Sequence, residues 1–380
     1  MDLSSIDLPP AVPPATPAVP APGRPNVLRP WVPRRVLLTP AARGWAHGRA
    51  MAERAAALGA EVVELKADRL PSAARGGDPR GAYREAKSTL AVVVAPPGKR
   101  RPRPIPPSAD WAFDLAEGCP AHCQYCYLAG SLKGPPLVRA YANLPEILDG
   151  LAPCLGEGRV TSRQAARAGE GTTFEASCYT DPLGIEHLTG SLAEAVRHFG
   201  AWDAPAQLRF TTKFADVGPL LDLPHNHRTR VRLSVNAAPV AGRFEGGTAG
   251  VPARLAAMRH LALAGYPVGL TVAPVMPFEG WREAYDALLA QAAAALDGVA
   301  APDLTLEFIT HRFTPTSKQV LLGWYPGTAL EMDEATRVRK LTKFGGTKHV
   351  YPPATMRELR AGLEGIAAER LPRARILYWT

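Results

Sequence analysis

Three closely spaced cysteines are the strongest chemical signal in the sequence. They are Cys119, Cys123 and Cys126, and their spacing is C-x3-C-x2-C. Three thiolates in this spacing suit three irons of one cubane iron–sulfur cluster, whereas the bacterial ferredoxin run brings its own fourth cysteine. Such an arrangement would leave the fourth iron open to a substrate.

Zinc is the alternative metal for the same cysteines. A structural zinc site needs a closed shell of four ligands, and His122, Cys154 or Cys178 could complete one. A disulfide framework is disfavoured, because five cysteines in 380 residues are an odd and sparse number without an apolar leader segment. We therefore expect a reduced, cytoplasmic protein in which Cys154 is structural.

Composition argues against a membrane protein and leaves the partner open. No apolar run approaches the roughly 18 residues that a membrane span requires. Lysine and arginine number 44 against 35 aspartates and glutamates, for a formal net charge of +9. This charge is compatible with a polyanionic partner but does not demonstrate one.

Composition and periodicity divide the chain into four segments. Residues 1–29 are rich in proline and alanine and are expected to form a disordered tail. Residues 30–107 predict a small α/β region that ends in a basic, proline-rich linker at 96–107. Residues 108–315 predict the main domain, and residues 316–380 a C-terminal extension with a hairpin and a helix.

Strands and helices alternate in the main domain, which is typical of parallel βαβ units. Helical patterns occupy residues 185–199, 255–262 and 281–296. Six βα units predict an α/β fold of the partial (β/α)6, TIM-type barrel kind. The predicted strands cover residues 111–115, 173–177, 208–212, 231–235, 268–273 and 305–309.

In such barrels the chemistry lies on loops at the carboxyl ends of the strands. The cysteine triplet follows the first strand, and Cys178 ends the second. The other strand-end residues are Lys213, Ser234, Asn236 and His311. We expect these side chains to meet at one mouth of the barrel.

The chain also resembles a known family, spore photoproduct lyase, which belongs to the radical S-adenosylmethionine (SAM) enzymes. The resemblance covers most of residues 30–380. Its main runs are Gly118-Cys-Pro-Ala-His-Cys-Gln-Tyr-Cys-Tyr-Leu128, Phe174-Glu-Ala-Ser-Cys-Tyr-Thr-Asp181, Leu208-Arg-Phe-Thr-Thr-Lys213, Arg232-Leu-Ser-Val-Asn236 and Glu307-Phe-Ile-Thr-His-Arg-Phe-Thr314. Further matches lie at 86–94, 138–144, 184–189, 264–269, 272–274, 279–281, 350–351 and 378–380.

The resemblance implies a DNA repair enzyme with two cofactors, a 4Fe-4S cluster and SAM. The substrate would be the methylene-linked thymine dimer, 5-thyminyl-5,6-dihydrothymine. The reduced cluster would cleave SAM to methionine and a 5'-deoxyadenosyl radical, which abstracts a hydrogen from C6 of the 5' thymine half. The linking bond would then break, and the remaining thymine radical would receive a hydrogen atom from the protein.

The resemblance also implies roles for individual residues. Cys178 matches the hydrogen donor, and Tyr125 and Tyr127 resemble tyrosines that relay the radical back toward SAM. The positions that match SAM-holding residues are Lys213, Ser234 and Asn236. An ammonium and short polar side chains suit the carboxylate and hydroxyl groups of SAM.

DNA contacts are expected where the lesion leaves the duplex, because a stacked dinucleotide cannot reach a barrel mouth. The segment 340–349 predicts a hairpin that resembles a lesion-wedging segment of the family. The family has an Arg-Tyr pair there, whereas this chain has Lys343-Phe344. The expected DNA-binding residues are Lys343, Phe344, Lys348, His311 and Arg312. Residues 156–171 look like an insertion and are expected to form a surface loop.

Two further functions stay open on the residues alone. One is a lyase-like radical SAM enzyme that acts on a different nucleic acid or on a metabolite. The other is a non-catalytic, zinc-stabilised DNA-binding protein, which would be colourless rather than brown. As partners of the enzyme we expect damaged DNA and an electron donor such as a flavodoxin or ferredoxin, with no membrane and a monomeric state.

Overall fold

The computed structural model describes residues 29–71, 78–131, 134–161, 164–341 and 346–380. The tail predicted over residues 1–29 lies, apart from Arg29, outside the described residues. The strands are β1 Arg35–Leu38, β2 Glu61–Glu64, β3 Thr89–Val93, β4 Arg103–Ile105, β5 Ala109–Phe113, β6 Ala116–Glu117, β7 His122–Cys123, β8 Val138–Tyr141, β9 Thr172–Ala176, β10 Ala206–Thr212, β11 Thr229–Val235, β12 Glu245–Gly246, β13 Val268–Val275, β14 Leu304–Thr310, β15 Val338–Leu341, β16 Thr347–Val350 and β17 Arg375–Trp379.

The helices alternate with these strands over most of the chain. They are α1 Pro40–Arg43, α2 Ala46–Ala57, α3 Pro79–Lys87, α4 Pro97–Arg100, α5 Leu144–Asp149, α6 Glu186–Thr189, α7 Ser191–Ala201, α8 Gly218–Leu221, α9 Ala238–Phe244, α10 Val251–Leu263, α11 Trp281–Ala295, α12 Pro315–Trp324 and α13 Pro353–Arg370. Within the described ranges, no helix is both long and apolar enough to cross a membrane.

The larger sheet is the predicted partial barrel. Its strand order in the described chain is β17-β14-β13-β11-β10-β9-β5-β4. The six predicted strands are confirmed as β5, β9, β10, β11, β13 and β14, and neighbours among them pair in parallel. The sequence analysis missed both edges: β17 adds a further parallel strand, and β4 pairs antiparallel with β5. Pro104 within β4 is tolerated because an edge strand can spare one donor.

Charged side chains fill the inside of the half-barrel. Arg209 on β10 contacts Glu307 on β14 at 2.5 Å, and Arg232 on β11 contacts the same carboxylate at 2.8 Å. Arg232 also contacts Glu175 on β9 at 2.5 Å. Because each buried charge has an opposite partner, the network avoids the cost of an unpaired buried ion. The network connects β9, β10, β11 and β14 beneath the loops that follow their carboxyl ends.

The smaller sheet holds both ends of the cysteine loop. Its order is β2-β1-β3-β8-β6, in which β8 pairs parallel with β3 and antiparallel with β6. The cysteine loop runs between β6 and β8, so this sheet fixes where the loop leaves and returns. Strand pairing therefore crosses the segment boundary drawn at residue 107, and β17 crosses the one drawn at 315.

Two expectations from the sequence are corrected. The apolar pattern over 185–199 is not one helix, because Gly190 adopts φ +64° and separates α6 from α7. The insertion at 156–171 is not simply a surface loop. Arg167 within it is 1% exposed and donates to the carbonyls of Pro107 and Ser108, so this part packs against the start of β5, at the amino end of the barrel.

The predicted hairpin is present as the antiparallel pair β15 and β16. Its expected tip residues Lys343 and Phe344 lie outside the described residues. Backbone hydrogen bonds between Phe313 and His349 in both directions join the hairpin to the segment that follows β14.

Candidate active site

The three cysteines line one cavity of about 360 Å³ at the carboxyl ends of the barrel strands. Gly118 starts their loop with φ +76°, and a Cβ there would lie 2.3 Å from the carbonyl oxygen of Leu137. Lys87 on α3 donates to the carbonyl of Cys119 at 2.5 Å and to that of Ala121. The loop is therefore held by its backbone, which leaves the thiols free to bind a metal.

The donor set fits an iron–sulfur cluster better than a zinc ion. In the described part of the chain, no three His, Cys, Asp or Glu side chains are gathered closely enough to hold a single ion. Yet three thiols surround one cavity, as a multi-iron cluster requires. His122, the candidate fourth zinc ligand, engages Tyr83 through Nδ1 at 2.8 Å instead. Burial, with Lys87 nearby, lowers the pKa of His122 to about 4.

Burial also governs the protonation of these thiols. It raises the pKa of Cys119 to about 11 and that of Cys123 to about 12. Both groups are therefore neutral thiols at pH 7 when no metal is bound. Thiolates are the metal-binding form, so loading of the site must release protons.

Lys213 and Ser234 lie together in the same cavity, as their positions at neighbouring strand ends predict. The Lys213 ammonium donates to Ser234 Oγ at 2.7 Å and to the Ala273 carbonyl at 3.4 Å. Asn236 is different: it is fully buried, donates to the Pro274 carbonyl at 2.8 Å and accepts from the Tyr285 hydroxyl at 3.1 Å. Because its amide is already used, Asn236 shapes the β13 end rather than facing the cavity.

Glu245 connects Lys213 to the cysteine loop, and the sequence analysis missed it. It lies on β12, which pairs with β7 so that Glu245 is opposite Cys123. Its carboxylate accepts from the Tyr125 hydroxyl and contacts the Lys213 ammonium at 3.2 Å. Arg254 on α10 contacts its other oxygen at 2.5 Å. Although burial opposes ionisation, Lys213 and Arg254 hold the pKa of Glu245 below its usual range.

Tyr127 has a much more open environment than Tyr125. Its side chain is 37% exposed, whereas Tyr125 is 9% exposed. The Arg312 guanidinium lies 5.4 Å from the centre of the Tyr127 ring. Both tyrosines line the cavity, so either one can contact a molecule bound there.

Cys178 lies beside this cavity on an unusual turn. Ser177 before it adopts φ +57°, and its hydroxyl oxygen accepts a hydrogen bond from the Leu115 amide at 3.0 Å. The next residues, 179–181, line the cavity. Burial raises the pKa of Cys178 well above its ordinary value, and the carboxylates of Glu175 and Asp114 raise it further. Cys178 is therefore a protonated thiol that retains its S–H hydrogen.

Asp181 is a second residue that the sequence analysis passed over. Its carboxylate accepts from the Lys213 amide at 2.7 Å and from the Thr212 hydroxyl at 2.8 Å. This links the loop that carries Cys178 to the end of β10. Burial raises the pKa of Asp181 to about 6.

His311 and Arg312 follow β14 at the same mouth. His311 is 2% exposed, and its Nδ1 lies 3.3 Å from Arg337. Burial, together with the positive charge of Arg337, lowers the pKa of His311 to about 3. His311 is therefore neutral at pH 7, so of this pair only Arg312 carries a positive charge. Lys348 on β16 is half-buried. It belongs to the two-stranded sheet of β15 and β16, not to the sheet that holds the ends of the cysteine loop.

Comparison with known proteins identifies the family. The family described as "Spore photoproduct lyase" matches residues 31–380. The spore photoproduct lyase of Geobacillus sp. (strain Y412MC61) is 39% identical over 356 residues, which are 93% of this chain and 100% of that protein. The enzyme of the same name from Bacillus subtilis (strain 168) is 39% identical over 351 residues, covering 92% of this chain and 99% of its own.

Solved structures agree with this match. A spore photoproduct lyase variant with bound AdoMet and dinucleoside spore photoproduct superposes with a TM-score of 0.84 and 37% identity. The comparison covers 93% of this chain and 100% of that one. A spore photoproduct lyase complexed with the dinucleoside spore photoproduct gives the same values. The chain therefore belongs to the spore photoproduct lyase family of radical SAM enzymes.

Proposed function

We propose that the protein reverts the methylene-linked thymine dimer in DNA to two thymines, with a 4Fe-4S cluster and SAM as cofactors. One observation supports the proposal: a single cavity at the barrel mouth is lined by three cysteines, by Lys213 and Ser234, and by residues 179–181, which directly follow the thiol of Cys178. A zinc-stabilised binding protein would need neither that pair nor a protonated thiol next to the site.

The cofactors have residues to hold them. Cys119, Cys123 and Cys126 would bind the cluster, while Lys213 and Ser234 would hold the carboxylate or hydroxyl groups of SAM. When bound, the two cofactors supply a carbon-centred radical that can abstract hydrogen from the lesion. Asn236 would act indirectly, because it fixes the carbonyl of Pro274 at the edge of the cavity.

Cys178 would provide the hydrogen atom that completes repair. It gives the hydrogen of its S–H bond to the thymine-centred radical and is left as a sulfur radical. Tyr125 and Tyr127 would then pass a hydrogen atom back to the sulfur radical of Cys178, and would themselves regain one from the deoxyadenosine formed from SAM. A phenol is suited to this relay, since its O–H bond is close to a thiol S–H bond in strength. The raised pKa of Cys178 supports this role, because a thiolate has no hydrogen to give.

Arg312 is proposed to face the phosphates of the extruded lesion, and His311 to offer a neutral hydrogen-bond donor. Lys343, Phe344 and Lys348 of the hairpin would contact the flanking DNA. Extrusion costs a few kcal/mol, and damage lowers that cost. The protein is further proposed to act as a cytoplasmic monomer that receives electrons from a flavodoxin or ferredoxin.

The test is direct repair of a defined substrate. The protein is reconstituted anaerobically with iron and sulfide, then incubated with dithionite, SAM and the dinucleotide spore photoproduct. We expect a brown protein that releases thymine dinucleotide, detected by chromatography. Cleavage of SAM without repair would assign the same cofactors to another substrate.

A further inference from the structure

A charged groove lies on the outer side of the cysteine loop. It has a volume of about 650 Å³. Apart from Tyr83 and Lys87, its lining residues do not line the active cavity, which is the cavity that contains the three cysteines. We call it the α3 groove, because most of its lining comes from that helix and the residue after it. The lining residues are Arg34, Tyr83, Arg84, Glu85, Lys87, Ser88 and His122.

The α3 groove reaches the cysteine loop through a single layer of side chains. His122 stands between Cys119 and Cys123 in the chain, and its ring contacts the Tyr83 hydroxyl at 2.8 Å. The ammonium of Lys87 contacts the Cys119 carbonyl at 2.5 Å. Tyr83 and Lys87 line both the groove and the active cavity. A molecule in the groove would thus be one side chain away from the cluster ligands.

The rim of the α3 groove is positively charged. Arg34 and Arg84 are both exposed, and among the described residues neither guanidinium has an ion-pair partner. The only carboxylate of the lining, Glu85, contacts Arg35 at 2.8 Å, so its charge is already matched. Unpaired surface cations steer an acidic partner and raise its rate of association.

We propose that the α3 groove is the docking surface for an acidic protein that carries one electron to the cluster. This inference rests on the proposed function, which needs that electron from outside. Weak redox encounters use small interfaces, and a groove of about 650 Å³ rimmed by two exposed arginines suits one. DNA is a less suitable occupant, because the lesion must reach Cys178, and residues 179–181 line the active cavity but not the groove.

The test compares two reductants in a charge-reversed variant, Arg34→Glu/Arg84→Glu. The probe is a purified bacterial flavodoxin, reduced for turnover and oxidised for binding titrations. We expect the affinity for oxidised flavodoxin and the flavodoxin-driven rate of SAM cleavage to fall about tenfold or more at low salt, because rim charges set association. The dithionite-driven rate should stay within about twofold of the wild type, since dithionite needs no docking site.

Two control variants make the result specific. Arg159→Glu/Arg373→Glu reverses two exposed arginines near the amino ends of β9 and β17, at the opposite side of the barrel. It should bind flavodoxin as the wild type does. The milder Arg34→Gln/Arg84→Gln should show a smaller loss in the same direction, which guards against a folding defect in the reversal.

Several outcomes would overturn the proposal. These are an unchanged flavodoxin affinity, an equal loss with both reductants, or a loss of affinity for lesion-containing DNA in place of flavodoxin. Failure of the proposed function would look different. In that case the wild type would not repair the lesion even with dithionite, whatever the flavodoxin titrations show.

Discussion

Tyr125 and Tyr127 are two residues apart on one loop, yet they sit in opposite kinds of environment. Tyr125 is buried, and its hydroxyl donates to a carboxylate that also contacts Lys213 and Arg254. Tyr127 is 37% exposed and lies under the Arg312 guanidinium. The cysteine loop therefore has a closed side, bound into an ion network, and an open side, where DNA is proposed to bind.

The two sides of the loop are expected to have different tasks. Substitutions on the closed side should lower both the free energy of unfolding and the affinity for SAM, because each charge there is buried with its partners. Substitutions on the open side should lower the rate of repair while the fold stays intact.

The largest effect is expected for Glu245→Ala on the closed side. It leaves Arg254 buried without its carboxylate, and breaking a buried pair by removing one partner costs about 3–5 kcal/mol. Urea unfolding measures this loss. The control is Glu358→Ala, which removes an exposed pair with Arg282 at 2.9 Å and should cost at most about 1 kcal/mol. Equal losses in the two variants would remove the distinction between the sides.

The next effect is a pH dependence that comes from Asp181. Its pKa is about 6 in the folded protein against an ordinary 3.8, so the folded state holds the proton more tightly. Its contribution to stability is present below about pH 4 and is lost as the pH rises through about 6, by an amount on the order of 3 kcal/mol. Asp181→Asn should flatten this part of the stability curve, measured by urea unfolding between pH 4.5 and about 7. An unchanged slope in the variant would show that Asp181 is not the group responsible.

A smaller loss is expected for Tyr125→Phe. The hydroxyl of Tyr125 donates to an ionised carboxylate, and such hydrogen bonds contribute about 1.5–3 kcal/mol. The Lys213 and Arg254 contacts with Glu245 remain, so SAM affinity should fall less than in Glu245→Ala. Thermal unfolding and equilibrium dialysis with SAM measure the two quantities. Unchanged stability would mean that the phenol is not part of the network.

The smallest effect on stability is expected on the open side. Tyr127→Phe removes only a hydroxyl and keeps the ring beside Arg312, and Arg312→Met removes one cation–π contact of a half-buried guanidinium. Each should change the free energy of unfolding by about 1 kcal/mol or less. Repair of the dinucleotide should nevertheless fall clearly in both. A destabilisation as large as that of Glu245→Ala would show that this side is closed as well.

The sequence predicted the parts of the site that follow regular strands. Lys213 directly follows β10 and Ser234 is the next-to-last residue of β11. Strand ends of a parallel sheet meet at one edge, so the proximity of the two residues follows from periodicity. Asn236 follows β11 as well, but its side chain turns to the Pro274 carbonyl. Periodicity predicts that a residue lies at the edge of the sheet, but it does not predict which group its side chain contacts.

Glu245 could not be predicted in the same way. It lies on a two-residue strand whose partner strand carries Cys123, and pairs so short leave no periodic pattern in the sequence. β17 is a different case, because Ile376, Tyr378 and Trp379 give a strand-like run at the chain end. This run is typical of a strand, and it forms the seventh parallel strand of the described barrel sheet. The hairpin turn at Lys343 and Phe344 stays a prediction.

Cys178 is proposed to supply the final hydrogen atom of repair, and solvent labelling follows that atom into the product. A thiol hydrogen exchanges with solvent, so repair in D₂O should place one deuterium in the methyl group of the product thymine, detected by mass spectrometry. Cys178→Ala should still cleave SAM but lose this labelled product. An unlabelled product from the wild type, or the same labelled product from Cys178→Ala, would rule out Cys178 as the hydrogen donor.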